Sequence, residues 1–93
     1  MRTIRYTHRF KRDYRRELSG VHGKKLEALF RQALDMLLND TPLPARYADY
    51  ALDGEWSDHR DCCVRPDLIL IYRKPDADAL ELVRLGSHSE LGL

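Results

Sequence analysis

Titratable side chains gather in two short segments of the C-terminal half of this chain. One segment carries Arg60, Asp61, Arg65 and Asp67, and the other places His88 in a Gly-Ser-His sequence. Cleavage of RNA without a metal needs a base for the 2′-hydroxyl, a cation for the phosphate and an acid for the leaving 5′-oxygen. Histidine titrates near neutral pH, and arginine binds phosphate through charge-assisted hydrogen bonds. These residue types therefore suggest acid–base chemistry on a phosphodiester.

Each of these residues also has a purely structural interpretation. His88 could lie in a surface turn, and Asp67 follows a proline, as turn residues commonly do. Arg60 and Asp61 could form cross-strand pairs, and the single tryptophan, Trp56, is more typical of a packing residue than of a base-stacking platform. From the residues alone, the sequence indicates a small domain with a basic face and a candidate nucleic-acid ligand.

Four segments have the composition and the alternation of β-strands. They are Thr3–Thr7, His59–Arg65, Leu68–Arg73 and Ala79–Leu85. The segment Leu68–Arg73 is apolar on both faces, which predicts a central strand. Pro66-Asp67 and residues 74–78 predict the turns on either side of that strand.

Two helices are predicted between the first and second strands. Phe10, Tyr14 and Leu18 recur every four residues and predict the first helix. A longer apolar stripe predicts the second helix, from Lys24 to Asn39. The order β-α-α-β-β-β predicts an α+β fold in which a helix pair packs on a small, mostly antiparallel sheet. We expect residues 1–93 to form a single domain.

Alternation along the strand His59–Arg65 divides its residues between two faces of the sheet. We assign Cys62 and Val64 to the core. The exposed face then carries Asp61, Cys63 and Arg65. Pairing of the last strand with the central strand would bring Arg84 and His88 to the same face.

Charge is distributed unevenly along the chain. Residues 1–31 carry ten Lys and Arg against three acidic residues, whereas residues 32–93 carry six against twelve. The asymmetry predicts a polyanion or an acidic protein as partner of the first half, with a solvated helix face as the alternative. The candidate phosphate-binding residues are Arg12, Arg15, Arg16, Lys25, Arg60, Arg65 and Arg84.

Several classes of protein do not fit the sequence. No apolar run approaches the roughly 20 residues that span a bilayer, and we expect no secretory signal, so the expected compartment is the cytoplasm. The only two cysteines, Cys62 and Cys63, are neighbours that point to opposite faces of a strand, which excludes a disulfide framework. A second cysteine pair is absent, so we expect neither a zinc site nor another cofactor.

Six short motifs follow one another along the chain. They are Thr41-Pro42-Leu43-Pro44, Leu52-x-Gly54-x-Trp56, Arg60-Asp61, Val64-x-Pro66-Asp67, Leu68-Ile69-Leu70-Ile71-Tyr72 and Arg84-x-Gly86-Ser87-His88. Together they resemble the YafQ-like branch of the RelE superfamily of toxin endoribonucleases. The resemblance implies a RelE-like fold and a toxin that cuts mRNA on the ribosome without a metal. It also implies an inhibitory antitoxin and a toxin–antitoxin complex that binds its own operator DNA.

The resemblance implies roles for individual residues. Asp67 and His88 match catalytic positions of the family, and Asp61 matches the acid of its Arg-Asp pair. Similar toxins carry histidines at the positions of Tyr50 and Cys63. We retain both as catalytic candidates, because a phenol and a thiol can also exchange protons.

These substitutions leave other functions open. Besides an active endoribonuclease, the chain could be a catalytically weak or inactive module of the same fold that binds an antitoxin. Leu68 supports this alternative, because similar toxins carry a tryptophan there. A third alternative is a protein that binds nucleic acid or operator DNA only with a partner.

Overall fold

A computed structural model describes all 93 residues as a five-stranded mixed sheet with three α-helices. The strands are β1 (Thr3–Tyr6), β2 (Tyr50–Ala51), β3 (Arg60–Arg65), β4 (Leu68–Arg73) and β5 (Ala79–Gly86). The helices are α1 (His8–Leu18), α2 (Leu26–Leu38) and α3 (His88–Leu91). The α+β prediction is confirmed. Only β2 and α3 are unpredicted, because two and four residues are too few to show a periodic pattern.

The strands lie in the order β1-β5-β4-β3-β2. β1 runs parallel to β5, and every other neighbouring pair is antiparallel, which confirms a mostly antiparallel sheet. β4 occupies the middle position, and its first five residues are buried, as its apolar sequence predicts. None of the helices has the length and apolar character needed to cross a bilayer.

The main core lies between the helix pair and one face of the sheet. α2 contributes Leu26, Phe30 and Leu37, which pack with core-facing side chains of β3, β4 and β5. Cys62 and Val64 of β3 are both in this core, so their predicted assignment is confirmed. Burial of this apolar surface is the main stabilising contribution to the fold.

The opposite side of the sheet, here called the open face, has a much smaller apolar cluster. Ile69, Ile71 and Val83 form it with Leu91 of α3, and Trp56 packs against it from a 3₁₀ turn at Gly54–Trp56. The packing interpretation of Trp56 is therefore confirmed. Two short elements cover this face, so polar side chains at its margin remain close to solvent.

The predicted apolar stripe of α1 is wrong at one position. Phe10 is buried and Tyr14 is half-buried, but Leu18 is exposed, and Asp13 is buried instead. Each four-residue step turns about 40° beyond one helical turn, so Leu18 lies about 80° away from Phe10 around the axis. Thr7 fixes the start of α1, because its Oγ1 accepts a 3.0 Å hydrogen bond from the N–H of Phe10.

Candidate active site

Strand pairing aligns several of the predicted site residues on the open face. Asp61 of β3 lies opposite Ile71 of β4, which in turn lies opposite Arg84 of β5. On the other side, Asp61 pairs with Tyr50 of β2. Paired residues of antiparallel strands project to the same face, so Asp61 is at the centre of this row.

A tight connection between β5 and α3 places His88 beside the same face. Ser87 caps α3, since its Oγ accepts a hydrogen bond from the N–H of Glu90, and Glu90 Oε1 accepts one from the N–H of Ser87. At Gly86 a Cβ would lie 2.9 Å from Nη2 of Arg16, so a larger residue there would displace the end of that side chain. His88 follows as the first residue of α3, with an exposed imidazole.

Asp61 has the electrostatic environment of a proton-exchanging group. Burial raises the pKa of its carboxyl, the charge of His88 opposes that change, and the charge of Asp49 adds to it. The net result is a pKa above the ordinary aspartate value, which moves proton uptake toward neutral pH. The influence of His88 on Asp61 also shows that the structure brings these two predicted site residues within electrostatic range.

Cys63 and Tyr50, which stand where similar toxins carry histidines, differ in exposure. Burial raises the pKa of the Cys63 thiol, and the charge of Asp61 raises it further. A thiol of this kind is neutral at pH 7 and cannot act as a base there. Tyr50 is exposed on the edge strand β2, with its phenol open to solvent.

Asp67 lies in the turn between β3 and β4, at the end of the hairpin. Its carboxylate Oδ1 lies 2.8 Å from Nε2 of His22, in the loop between α1 and α2. It has no hydrogen bond to His88 or Asp61. The structure therefore places Asp67 in a separate pair with a residue that the sequence pattern did not single out.

Three of the seven candidate phosphate-binding arginines and lysines are held in intramolecular ion pairs. Arg84 donates two hydrogen bonds to Asp13, at 2.6 and 3.1 Å, and Arg16 donates one at 3.0 Å. Arg60 donates to Asp49 at 3.1 Å. The other four form no salt bridge and are exposed; they are Arg12, Arg15, Lys25 and Arg65.

Sequence reasoning missed two carboxylates and a histidine that organise these groups. Asp13 lies three residues after Phe10, and that spacing was a usable sign of burial. Asp49 accepts hydrogen bonds from Arg60 and from the Tyr72 hydroxyl. Nothing local in the sequence indicates Asp49 or His22, because their partners come from distant segments.

No group of three or more His, Cys, Asp and Glu side chains has an arrangement that could hold a metal ion. The site consists instead of a carboxyl with a raised pKa, a nearby imidazole and several arginines. Such a set can move protons and bind a phosphate.

Comparisons with known proteins agree on one family. Residues 2–92 match the family model described as the bacterial YafQ toxin of type II toxin–antitoxin systems. The chain is 37% identical over 91 residues to the mRNA interferase toxin YafQ of Escherichia coli, covering 97% of this chain and 95% of that protein.

Solved structures show the same similarity in three dimensions. A metal-bound toxin from Helicobacter pylori superposes with a TM-score of 0.86 at 38% identity, covering 98% of this chain and 99% of that one. YafQ in the Escherichia coli DinJ–YafQ complex superposes with a TM-score of 0.80 at 35% identity, covering 98% of both chains. The chain therefore belongs to the YafQ family of toxins from type II toxin–antitoxin systems, within the RelE superfamily.

Proposed function

We propose that this toxin is an mRNA endoribonuclease that acts on the ribosome and uses acid–base catalysis without a metal. The similar Escherichia coli protein carries the name mRNA interferase. The observation that carries the proposal for this chain is the position of Asp61 in the row of paired residues on the open face, with His88 at the start of α3 near enough for its charge to act on that carboxyl. Because its pKa is raised above the ordinary aspartate value, the carboxylate of Asp61 is a stronger base than an unshifted aspartate.

The reaction needs two proton transfers on opposite sides of one phosphorus atom. Asp61 takes the proton of the 2′-hydroxyl, and the 2′-oxygen attacks the adjacent phosphorus. The bond from phosphorus to the 5′-oxygen breaks, and His88 gives that oxygen its proton. The products are a 2′,3′-cyclic phosphate and a free 5′-hydroxyl, so no other reactant is required.

Cations stabilise the negative charge that develops on the phosphoryl oxygens. Arg65 is exposed and unpaired, so its guanidinium is available to a phosphate. Arg84 is held by Asp13 and acts through the N–H groups that this carboxylate leaves free. Arg60 is held by Asp49 and pairs across the strands with Tyr72 of the main core, so any phosphate that it binds lies outside the open face. Asp67 contacts the same nucleotide from the hairpin turn.

Exposed basic side chains of the helical half bind ribosomal RNA. Arg12, Arg15 and Lys25 form no intramolecular salt bridge, and contacts of this kind to phosphate weaken as salt concentration rises. Arg16 has a different role, because Asp13, Glu17 and Glu90 already surround it. Its guanidinium joins α1 to α3.

Primer extension on a reporter mRNA in a purified translation system tests the proposal. We expect cuts with the wild type and ribosomes, no cuts without ribosomes, and at least about 100-fold slower cutting by His88→Ala. His8→Ala is the matched control, since His8 is an exposed histidine with no hydrogen bond to another side chain, and it should cut at the wild-type rate. Equal cutting by His88→Ala would refute the mechanism.

We propose that the antitoxin docks in an aromatic groove of about 650 Å³ between β1, α1 and α2. Tyr6, Phe10, Tyr14 and Phe30 line it ring to ring, with centroids 5.6–5.9 Å apart. Charged residues follow its rim; they are Lys11, Arg15, Glu27, Arg31 and Asp35. A segment with apolar anchors and acidic flanks would match this surface, and the edge strand β1 can pair with an added strand.

Tyr6→Asp tests the docking site, because Tyr6 is half-exposed and its loss removes an aromatic anchor without opening the core. Calorimetric titration with the cognate antitoxin should show binding at least about tenfold weaker. Val21→Asp, at a more exposed apolar position outside the groove, should bind as the wild type does. Equal affinity of both variants for the antitoxin would show that it docks on another surface.

We also propose that the toxin–antitoxin complex binds operator DNA, whereas the free toxin does not.

The neutral thiol of Cys63 favours a second candidate function, an antitoxin-binding module with weak or no cleavage. Expression without antitoxin separates the two candidates. An active toxin arrests growth and leaves cut mRNA, whereas a binding module does neither. If growth continues, Cys63→His with Tyr50→His should restore cleavage.

A further inference from the structure

The carboxylate of Asp67 is held by a residue 45 positions earlier in the chain. Its side chain is 65% exposed, whereas the side chain of His22 is only 16% exposed. Nε2 of His22 lies 2.8 Å from Oδ1 of Asp67. An ionised carboxylate can only accept hydrogen bonds, so the imidazole donates through its Nε2–H.

The loop that carries His22 is held by close backbone contacts. The N–H of Gly23 donates to the carbonyl of Gly20, and the N–H of Lys25 donates to the carbonyl of His22. A Cβ at Gly23 would lie 2.1 Å from the carbonyl oxygen of Leu18, so only glycine fits this turn. The enclosed imidazole of His22 is therefore a fixed donor rather than a mobile one.

Asp67 depends on this donor for its orientation. The bond to His22 is the only hydrogen bond of the Asp67 side chain, and it occupies Oδ1 while Oδ2 stays free. The terminal torsion of aspartate has a broad energy well, so an exposed carboxylate without such a partner samples many orientations. With one oxygen bound to His22, the Asp67 carboxylate can present its free oxygen to a substrate in a defined geometry.

We propose that His22 is a positioning residue for RNA cleavage, which orients the Asp67 carboxylate through Nε2–H so that Oδ2 meets the nucleotide. The inference rests on the proposed function, in which Asp67 contacts RNA. It assigns a role in the reaction to the loop between α1 and α2, which lies outside the sheet and the α3 segment that carry the other site residues.

Cleavage kinetics in the purified translation system test this role. We expect His22→Ala to lower the maximal cleavage rate roughly tenfold, with little change in the toxin concentration that gives half-maximal rate. His22→Gln keeps an N–H donor near the position of Nε2 and should stay within about threefold of the wild type. In an Asp67→Ala background, His22→Ala should cause no further loss, because its target is gone.

Three results would overturn the inference. The first is a wild-type cleavage rate for His22→Ala while His88→Ala is inactive. The second is a loss of rate from His22→Ala that is as large in the Asp67→Ala background as in the wild type. The third is a loss of rate in His22→Gln as large as that in His22→Ala. In these cases only the positioning role of His22 fails, because cleavage by the wild type still supports the endoribonuclease. A wild type that leaves every transcript intact would overturn the proposed function together with the positioning role.

Nitrogen NMR of the imidazole ring examines the pair without any cleavage assay. The wild type should show the tautomer protonated at Nε2 for His22, and Asp67→Ala should change that signal while leaving the signal of His59 in place. A His22 ring that is insensitive to Asp67→Ala would overturn the inference, even if the toxin cuts mRNA normally.

Discussion

Two shielded carboxylates, Asp13 and Asp61, have opposite electrostatic environments. Burial alone would raise the pKa of Asp13, but hydrogen bonds from Arg84 and the N–H of Leu85, with the charges of Arg84 and Arg16, lower it below the ordinary value. Burial also raises the pKa of Asp61, and there the charge of His88 does not reverse the effect. The difference lies in the number and closeness of the cations.

Asp13 is a carboxylate held by structural ion pairs, whereas Asp61 is one that binds a proton more readily than an ordinary aspartate. Asp13, only 2% exposed, holds α1 against β5 and remains ionised. Asp61 lies on the open face, lacks a bound guanidinium and holds a proton more readily. The sequence does not distinguish Arg84 from Arg65, yet Arg84 is bound by the carboxylate of Asp13, whereas Arg65 forms no ion pair.

The largest expected effect is on the Asp13 side. Asp13→Ala leaves Arg84 and the N–H of Leu85 without their acceptor, and we expect a loss of about 3–5 kcal/mol in the free energy of unfolding. Chemical denaturation measures it. Asp35→Ala, an exposed aspartate on α2, should change that free energy by less than about 0.5 kcal/mol. Similar losses in both variants would contradict a special role for Asp13.

A smaller effect on stability is expected at α3, which connects the surroundings of Asp13 with those of Asp61. Glu90 of α3 contacts Arg16, and His88 of α3 acts on Asp61. Ser87→Ala removes the helix cap, and we expect a loss of about 1 kcal/mol in stability with slower cleavage. Ser87→Thr retains the hydroxyl and should restore both. Unchanged cleavage in Ser87→Ala would show that His88 does not depend on the cap.

The pH dependence of stability should have opposite signs at the two carboxylates. Asp13 binds protons more weakly in the folded state, so its contribution is present above pH 3.8, the ordinary value, and is lost as pH falls through its lower folded pKa. Asp61 binds protons more strongly when folded, so its contribution declines as pH rises from 3.8 through its raised folded pKa. Denaturation of the wild type, Asp13→Asn and Asp61→Asn between about pH 2 and pH 7 measures both slopes. Slopes of the same sign would contradict the opposite environments of Asp13 and Asp61.

The smallest effect on stability is expected at the free cations. Arg12→Glu and Arg15→Glu break no ion pair, so the free energy of unfolding should change by less than about 0.5 kcal/mol. Ribosome binding should weaken, and the slope of its logarithm against the logarithm of salt concentration should become shallower. Sedimentation with ribosomes at several salt concentrations provides the test, and an unchanged slope would remove these residues from the interface.

The sequence predicts the elements with periodic patterns and misses contacts between distant segments. Alternation in β3 assigns Cys62 to the core and Asp61 to the other face, because side chains of a strand alternate strictly. Helical spacing also places Asp13 beside Phe10, but its charge argues for solvent, so the pattern alone does not decide its burial. The pair of His22 with Asp67 joins two loops, and no local pattern encodes such a contact.

The central claim is that the open face around Asp61 carries the reaction and that the Asp13 side carries stability. The cleavage rate of Asp61→Asn in the purified translation system tests it most directly, with unfolding measured on the same sample. We predict cleavage at least about 100-fold slower, in a protein that is no less stable than the wild type at pH 7. Cleavage by Asp61→Asn at the wild-type rate would contradict the claim.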